Sequence, residues 1–256
     1  MQLHWRTRYP GPRHFSPERK RALEYLDRSD VDPTEKVRSY QDLDTISLLP
    51  AQFGPLQRAL GRLAGRPLEK GRESLTLLEL GAGSGRVGLR VARLLAGQGF
   101  RVELISTDLH PQNLPTAGQR GNVTVRPQQL DALHDALPTA DLCFANLLIH
   151  HFDDDEALGL LSRMQVATRL GGAVFDLDRN PWAFHFLRLF FPLWVRSPIT
   201  VADALTSVQQ AFRLDELEEM ALAAGIEKPH IERFWMLRSL LWWERDGEQR
   251  VVNEEG

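Results

Sequence analysis

Cysteine is almost absent from the 256-residue chain, which contains only Cys143. A single thiol cannot form an intrachain disulfide or a cysteine-based zinc site. Cys143 stands in the apolar run Leu142-Cys143-Phe144-Ala145, which is typical of a buried structural thiol rather than a nucleophile. A disulfide framework within the chain is therefore excluded, and we expect a reduced, cytoplasmic protein.

Long apolar runs and an excess of one charge are also lacking. The longest aromatic-apolar stretch, Trp182 to Val195, is too short to span a bilayer and contains His185 and Arg188. The N-terminus has basic residues but no apolar signal segment. A net charge of −3 gives no reason to expect a nucleic-acid partner. We predict a small-molecule partner, no nucleic acid and no stable membrane insertion, and the oligomeric state stays open.

What the chain does have, after residue 74, is an alternation of strand-like and helical segments. Five strands are predicted over residues 75–80, 101–107, 122–126, 141–147 and 173–178, and two more over 231–237 and 240–243. Helices are expected at 87–96, from Pro111, at 153–170 and at 214–224. This order is typical of a parallel sheet with helices on both faces, an α/β fold.

Before the first strand the pattern is helical, and one long insertion interrupts the alternation. Ser16-Pro17 resembles a helix start, and further helices are expected from Val37 to Leu49 and from Gly54 to Leu63. The insertion, residues 179–212, is rich in aromatic side chains. We divide the chain into an N-terminal arm and helical cap (1–73), an α/β domain (74–244) and a polar tail (245–256).

A glycine loop follows the first strand. The segment Leu78-Glu79-Leu80-Gly81-Ala82-Gly83-Ser84-Gly85 passes directly into a helical pattern. Glycines there allow positive φ and close approach of a ligand to the backbone, and the helix N-terminus offers free N–H groups. Arg86 stands where a dinucleotide fingerprint needs its last glycine, which disfavours a nicotinamide oxidoreductase.

Polar residues mark the ends of the next three strands. Asp108 follows Gly85 by 23 residues, where a carboxylate suits a ribose diol. Asp131 follows the third strand, where it could accept a hydrogen bond from an exocyclic amine. The fourth strand leads into Asn146 and a pair of histidines. Because ligands of open α/β sheets bind beyond the carboxyl ends of the strands, the four features together predict a nucleotide-like cofactor site.

These motifs resemble those of class I S-adenosylmethionine (SAM)-dependent methyltransferases. The resemblance implies a Rossmann-like seven-stranded methyltransferase sheet with an N-terminal helical cap and a helical insertion after the fifth strand. It also implies that Asp108 binds the ribose, that Asp131 and Ala132 lie by the adenine, and that the Asn146–Phe152 segment is the fourth-strand motif. The cofactor-binding set it implies is Glu79, Gly81, Ala82, Gly83, Gly85, Asp108, Leu109, Asp131, Ala132, Asn146 and Leu147.

A looser resemblance extends to a bacterial subgroup associated with polyketide-type biosynthesis. Its signatures correspond to Asp42-Leu43, to Asp176-Leu177-Asp178-Arg179 and to residues 207–212. This chain reads Val201-Ala202-Asp203-Ala204 where the subgroup has a histidine before Asp-Gly-Pro. The departure weakens any substrate assignment taken from the subgroup.

His150 and His151 are the candidate catalytic residues. Consecutive residues at a strand end point in opposite directions, so we expect at most one to face the ligand. Two adjacent histidines make a poor metal site without a third ligand, and we predict no metal. One alternative is a general base for a substrate hydroxyl, with His151 slightly preferred. The other is that one histidine packs under the next helix while its neighbour lines the cofactor pocket.

The aromatic insertion has three interpretations: core, a lid over the substrate, or a membrane-surface patch. The lid is preferred, with an acceptor-binding set of Tyr40, Arg179, Trp182, Phe186 and Phe190. The predicted function is SAM-dependent methyl transfer to a hydroxyl of a small lipophilic or aromatic natural-product intermediate. Two alternatives stay open: carbon methylation of a quinol-like ring, and a SAM-binding partner subunit without turnover.

Overall fold

The computed structural model describes residues 9–47, 53–65, 73–235 and 237–245. Their centre is a mixed sheet in the order β3-β4-β2-β1-β5-β6-β8-β7. Its strands are β1 (Ser74–Leu80), β2 (Arg101–Asp108), β3 (Gly118–Arg120), β4 (Val123–Gln129), β5 (Ala140–Asn146), β6 (Thr168–Leu177), β7 (His230–Phe234) and β8 (Arg238–Glu244). The predicted Rossmann-like α/β class is confirmed, and the three-residue edge strand β3 is the addition to the seven expected strands.

Strands β4, β2, β1, β5 and β6 are parallel, and β8 runs antiparallel between β6 and β7. The helices of the described residues are α1 (Pro33–Ser47), α2 (Gly54–Ala64), α3 (Arg86–Gly97), α4 (Asp154–Ala167), α5 (Pro181–Phe190), α6 (Pro198–Gln210) and α7 (Leu214–Ala223). None of them combines the length and apolarity needed to cross a bilayer.

Helices cover both faces of the sheet because the strand residues alternate between two apolar cores. On one face Leu77 and Phe144 pack with Leu60 of α2 and Val91 of α3. On the other face the core joins strand residues to α4 and α7 and includes the buried Cys143. Burial raises the pKa of that thiol, as expected for a structural cysteine. Both cores leave the carboxyl ends of the parallel strands clear for the site.

The N-terminal arm differs from the prediction. No helix begins at Ser16; residues 9–24 have no regular structure, and only Tyr25–Asp27 forms a 3₁₀ turn. The backbone N–H of Lys20 donates to the Gln209 carbonyl at 3.1 Å, and that of Ala22 donates to the Gln210 side chain at 2.9 Å. Bonds to α6 thus replace the intrahelical bonds that the Ser-Pro signal predicts. We call residues 9–28 the arm; residues 1–8 and the tail beyond 245 lie outside the described residues.

Two further helix predictions are wrong in extent. The segment from Pro111 forms only a 3₁₀ turn to Asn113, and Gly118 and Gly121 take positive φ around β3 instead. Helix α4 ends at Ala167, not at the glycine pair, because Gly171 and Gly172 belong to β6. A Cβ on Gly172 would lie 2.6 Å from the Trp243 ring, so this glycine serves close packing in the sheet.

The insertion folds into α5 and α6 around its own apolar core. Phe184, Leu187, Val201, Leu205 and Val208 are buried there. Asp42 of α1 accepts hydrogen bonds from the backbone N–H of Ser197 at 2.8 Å and from the Thr200 hydroxyl at 3.0 Å. It therefore caps α6 from a neighbouring helix, which joins the N-terminal segment to the insertion.

Candidate functional site

The glycine loop leaves β1 in a conformation that only glycine adopts easily. Gly81, Gly83 and Gly85 have φ of 62°, 50° and 66°. A Cβ on Gly81 would lie 2.7 Å from Leu148, and one on Gly85 would lie 2.6 Å from Pro115. A Cβ on Gly83 would meet no atom within 4 Å. The loop is therefore packed at both ends and open at its centre, and Gly85 is the N-cap of α3.

Glu79 holds the loop from beneath. Its buried carboxylate accepts hydrogen bonds from the Gly88 backbone N–H at 2.7 Å and from the Ser106 hydroxyl at 3.0 Å. Burial raises the pKa of Glu79 to about 7, although both hydrogen bonds oppose the rise. Glu79, which the sequence predicted to bind the cofactor, thus ties the first turn of α3 to β2 just below the glycine loop.

Asp108 lies at the end of β2 and bridges to the same loop. One carboxylate oxygen accepts from the Gly83 N–H at 2.8 Å and the other accepts from the His110 N–H at 2.9 Å. A carboxylate has about four acceptor positions, so two remain for a ligand. Leu109, predicted beside it, is 52% exposed.

Asp131 lies two residues beyond the end of β4, and its carboxylate accepts the hydrogen bonds that form a turn. One oxygen accepts from the Leu133 N–H at 2.9 Å, and the other lies 3.0 Å from Nδ1 of His134. These bonds lower the pKa of Asp131, so it is ionised at neutral pH. Ala132 is partly buried beside it.

Asn146 ends β5 and carries a buried side-chain oxygen that has no hydrogen-bond partner among the described residues. Leu147 follows with φ of 53°, a conformation that costs a leucine roughly 1–3 kcal/mol. Its N–H donates to the Phe175 carbonyl at 3.0 Å, which holds the turn in place. An orphaned buried oxygen and a strained residue at one strand end are both typical of a ligand site.

His150 is buried in the 3₁₀ turn Ile149–His151, which begins two residues after the strained Leu147. We call this turn the histidine turn. Its Nδ1 lies 2.6 Å from Oδ1 of the buried Asp176, at the end of β6. Burial lowers the pKa of His150, but the Asp176 charge and hydrogen bond outweigh it, and the net shift is upward. A proton on Nδ1 makes this bond and leaves Nε2 as an acceptor.

His151 does not turn away from its neighbour, contrary to the sequence expectation. The two rings lie 4.2 Å apart at an angle of 35°, because the pair sits in a 3₁₀ turn and not in a strand. Burial, followed by the charge of His150, lowers the pKa of His151 to about 3, so this ring is neutral. His151 lines a cavity of about 430 Å³ whose other walls are Arg21, Ala22, Leu23, Glu24, Asp27 and Gln210.

The arm closes this end of the sheet, which the sequence did not predict. Arg19 donates to the carbonyls of His150 and Phe152 and pairs with Asp154 at 2.7 Å. Asp203 of α6 accepts from the N–H groups of Tyr25 and Leu26 at 2.7 and 3.1 Å. Glu24 was not predicted as a site residue, and Asp176 was noted only within a subgroup signature, because their approach to the histidines depends on tertiary contacts.

The predicted acceptor-binding residues do not gather at one place. Arg179 is buried and donates to the backbone carbonyls of Pro17 and Ala211 and to Glu216, beside a different cavity of about 450 Å³. Tyr40 and Trp182 are 52% and 72% exposed. Phe186 and Phe190 pack against each other, with ring centroids 5.2 Å apart. None of these five residues lines the 430 Å³ cavity beside His151, which we call the histidine cavity.

Residues 77–172 match the family model described as "Methyltransferase domain". No curated protein matches the chain in sequence. Its fold is similar to that of the SAM-dependent methyltransferase SibL in its apo form, with a TM-score of 0.56, 15% identity and coverage of 93% of this chain and 64% of that chain. An O-methyltransferase family protein from Burkholderia thailandensis gives a TM-score of 0.52, 16% identity and coverage of 83% and 60%.

An O-methyltransferase family 2 protein from Planctomyces limnophilus, solved in complex with apigenin, gives a TM-score of 0.51, 15% identity and coverage of 86% and 64%. The chain thus spans 60–64% of the length of these solved structures. At such identities the likeness shows the fold. The family match over residues 77–172 and this likeness in fold both agree with the resemblance found in the sequence.

Proposed function

We propose that the chain is a SAM-dependent methyltransferase that acts on a hydroxyl group of a small lipophilic or aromatic molecule. The observation that carries the proposal is the set of features at three neighbouring strand ends, those of β2, β1 and β5. An open, positive-φ glycine loop, a carboxylate bonded to it and a buried, unpartnered amide oxygen all lie at the carboxyl edge of the sheet. That edge is where open α/β sheets bind ligands.

The residues present fit SAM. Gly81–Gly85, held by Glu79, would shape the amino-acid end of its pocket, where the N–H groups at the start of α3 suit a carboxylate. Asp108 would hold the ribose, while Asp131 and Ala132 would lie by the adenine. The orphaned Oδ1 of Asn146 would receive a donor from the methionine part. When bound, SAM supplies an activated methyl group that an oxygen nucleophile can take up.

In this proposal His150 is the proton acceptor for the acceptor hydroxyl. Asp176 fixes the ring through Nδ1, and Nε2 lies 3.9 Å from Oε1 of Glu24 in the arm. His151, which the sequence slightly preferred, has no carboxylate on its ring and lies at the cavity wall. Proton removal by a positioned imidazole contributes roughly 10²–10⁴-fold in rate. Most of the remaining acceleration would come from alignment of the reactants.

The acceptor would enter from the side of the arm and the insertion. The histidine cavity of about 430 Å³ is within the range of small-molecule sites, roughly 300–1,000 Å³. An aromatic hydroxyl is consistent with the apigenin complex of the Planctomyces limnophilus protein. Helix α6 reaches the arm at Gln209 and Gln210, so the insertion would act as a lid that moves with the arm.

Calorimetry on the purified chain tests the cofactor assignment, and we expect SAM to bind. Binding of NAD without binding of SAM would refute it. A turnover screen with labelled methyl donor against phenolic, pyrone and fatty-acyl acceptors then tests the reaction.

The role of His150 is tested by comparing His150→Gln with His151→Gln on any acceptor found. The first substitution should lower kcat by at least about 10²-fold and the second by much less. Equal turnover by both variants and the wild type would show that neither histidine removes the proton, and the rate would then come from alignment of the reactants alone.

A further inference from the structure

Three potential metal ligands converge where the arm meets the histidine turn. One donor atom each from Glu24, His150 and His151 lies within 4.8 Å of the other two. Nε2 of His150 is 3.9 Å from Oε1 of Glu24. Tetrahedral zinc with bonds of about 2.0–2.1 Å places its ligands about 3.3 Å apart, so a small closure of these side chains would suffice.

The surroundings prepare His150 as a ligand. Its Nδ1 lies 2.6 Å from Asp176, which orients the ring and directs the lone pair of Nε2 towards Glu24. A carboxylate behind a ligating histidine is the usual outer shell of a metal site and strengthens the ligand. His151 is adjacent in the chain, and its ring lies 4.2 Å from that of His150, so the second imidazole is already beside the first.

The local charge favours a cation. Glu24 and Asp27 both line the cavity, and Asp176 lies behind His150. Arg21 also lines the cavity, but its guanidinium is engaged by Asp153 and by the His151 carbonyl. The buried Arg238 offsets part of the charge of Asp176.

We propose that Glu24, His150 and His151 form a binding site for a divalent transition metal of the zinc class. Two imidazole nitrogens and one carboxylate oxygen are a ligand set that zinc accepts, and the cavity leaves a fourth position open to water or another small ligand. The binding does not depend on methyl transfer. It would fasten the arm, through Glu24, to the carboxyl edge of the sheet.

If the proposed function also holds, the metal competes with the reaction. A metal ion on Nε2 of His150 occupies the lone pair that would receive the hydroxyl proton. Zinc should then inhibit methyl transfer in the wild type, and a chelator should restore it. The sequence predicted no metal because no third ligand adjoins the histidine pair; the third ligand comes from the arm, 126 positions before His150.

The test is a titration of the full, chelator-stripped chain with Zn²⁺ by calorimetry and with Co²⁺ by visible absorption. We expect one ion per chain and a Co²⁺ spectrum of low coordination number. Glu24→Gln and His151→Gln should each weaken binding at least about 10-fold, and Asp176→Asn should weaken it about 10–100-fold. His134→Gln, which alters an exposed histidine paired with Asp131, is the matched control and should bind as the wild type does.

Two further readouts do not require activity. Zn²⁺ should raise the Tm of the wild type, since ligands of the native state stabilise it, and should leave the Tm of a Glu24→Gln/His151→Gln double variant unchanged. It should also slow trypsin cleavage after Lys20 and Arg21 in the arm. No saturable binding below 1 mM (a binding free energy of about −4 kcal/mol) would overturn the proposal. Wild-type affinity for Zn²⁺ in both Glu24→Gln and His151→Gln would also overturn it.

Discussion

Glu79 offers a stringent test of how the glycine loop is held. Its carboxylate is 2% exposed and receives only two donors, the Gly88 N–H and the Ser106 hydroxyl. Glu79→Gln keeps the shape of the side chain and an oxygen for the Gly88 N–H, but it removes the ionisable group. The comparison of the two proteins therefore isolates the free energy of ionising one buried carboxyl.

The magnitude follows from the pKa. Glu79 has a pKa of about 7 in the folded chain and an ordinary value of 4.5 in the unfolded chain. Between these values the folded state binds more protons, so this group makes stability fall as pH rises from 4.5 to 7. Each unit corresponds to 1.36 kcal/mol, so the ionised carboxyl makes the folded state about 3 kcal/mol less stable above pH 7 than below pH 4.5.

The assay is urea unfolding of the wild type and Glu79→Gln at pH 4.5, 5.5, 6.5 and 8. The free energy of unfolding of the variant minus that of the wild type should increase by about 3 kcal/mol across the series. Every other titrating group is common to both proteins and cancels. A difference that stays constant, or one that decreases with pH, would show that Glu79 is ionised without penalty and would refute the reasoning. Glu79→Ala is the control: it also lacks the ionisable group, so it should be less stable than Glu79→Gln by roughly 1–3 kcal/mol at every pH, because it leaves the Gly88 N–H buried without an acceptor.

The remaining predictions concern the loop, its ribose-side carboxylate and the insertion. Asp108→Ala should weaken SAM binding by at least about 1 kcal/mol in calorimetry, and unchanged affinity would remove Asp108 from the site. Gly83→Ala should lower the free energy of unfolding, measured in urea, by about 1–2 kcal/mol because of the positive φ alone. Gly81→Ala should cost more because its Cβ also meets Leu148, and equal losses would contradict that contact. Asp42→Ala should cost roughly 0.5–2 kcal/mol by uncapping α6, and a loss within error would show that the cap is unimportant.

The sheet was predictable because its signals are local. Short apolar runs predicted all seven main strands, three of them bounded by Gly81, Asp108 or Asp178. The acids at the start of α4 form the capping box between Asp153 and Glu156. The helix from Ser16 failed for the opposite reason. A serine–proline start is a local preference of about 1 kcal/mol, and the bonds that the arm makes to α6 outweigh it. The glycine pair at 171–172 was misassigned because glycine marks both helix ends and close strand packing.

The candidate site divides in the same way. The predicted cofactor set lies at or just beyond the carboxyl ends of β1, β2, β4 and β5, so the order of the motifs placed Asp108, Asp131 and Asn146 along one edge of the sheet. The acceptor set depended on where a long aromatic insertion would pack, and composition does not determine that. Arg179 shows the difference: it was assigned to substrate by its position after β6, but its guanidinium is buried in bonds to the arm and to α7.

The subgroup signatures acquire a structural meaning once the arm is placed. Asp42 caps α6, Asp176 orients His150, Arg179 binds Pro17 of the arm, and Ser207 donates to Glu24. Four residues scattered over 166 positions thus hold one assembly, in which the insertion and the arm close over the histidine turn. Asp203 belongs to the same assembly, since it accepts from the arm backbone at Tyr25 and Leu26.

This arrangement separates two roles that the sequence could not distinguish. In the proposed function the motifs at β1, β2, β4 and β5 face the cofactor, whereas the signature residues in α1, β6 and α6 hold the insertion and the arm. If so, a substitution such as Asp203→Asn, which weakens the hold on the arm, should leave SAM affinity unchanged and should alter acceptor binding and the proposed metal binding together. Calorimetry with SAM and with Zn²⁺ on this single variant would decide the point, because a matching loss of SAM affinity would show that the arm belongs to the cofactor site as well.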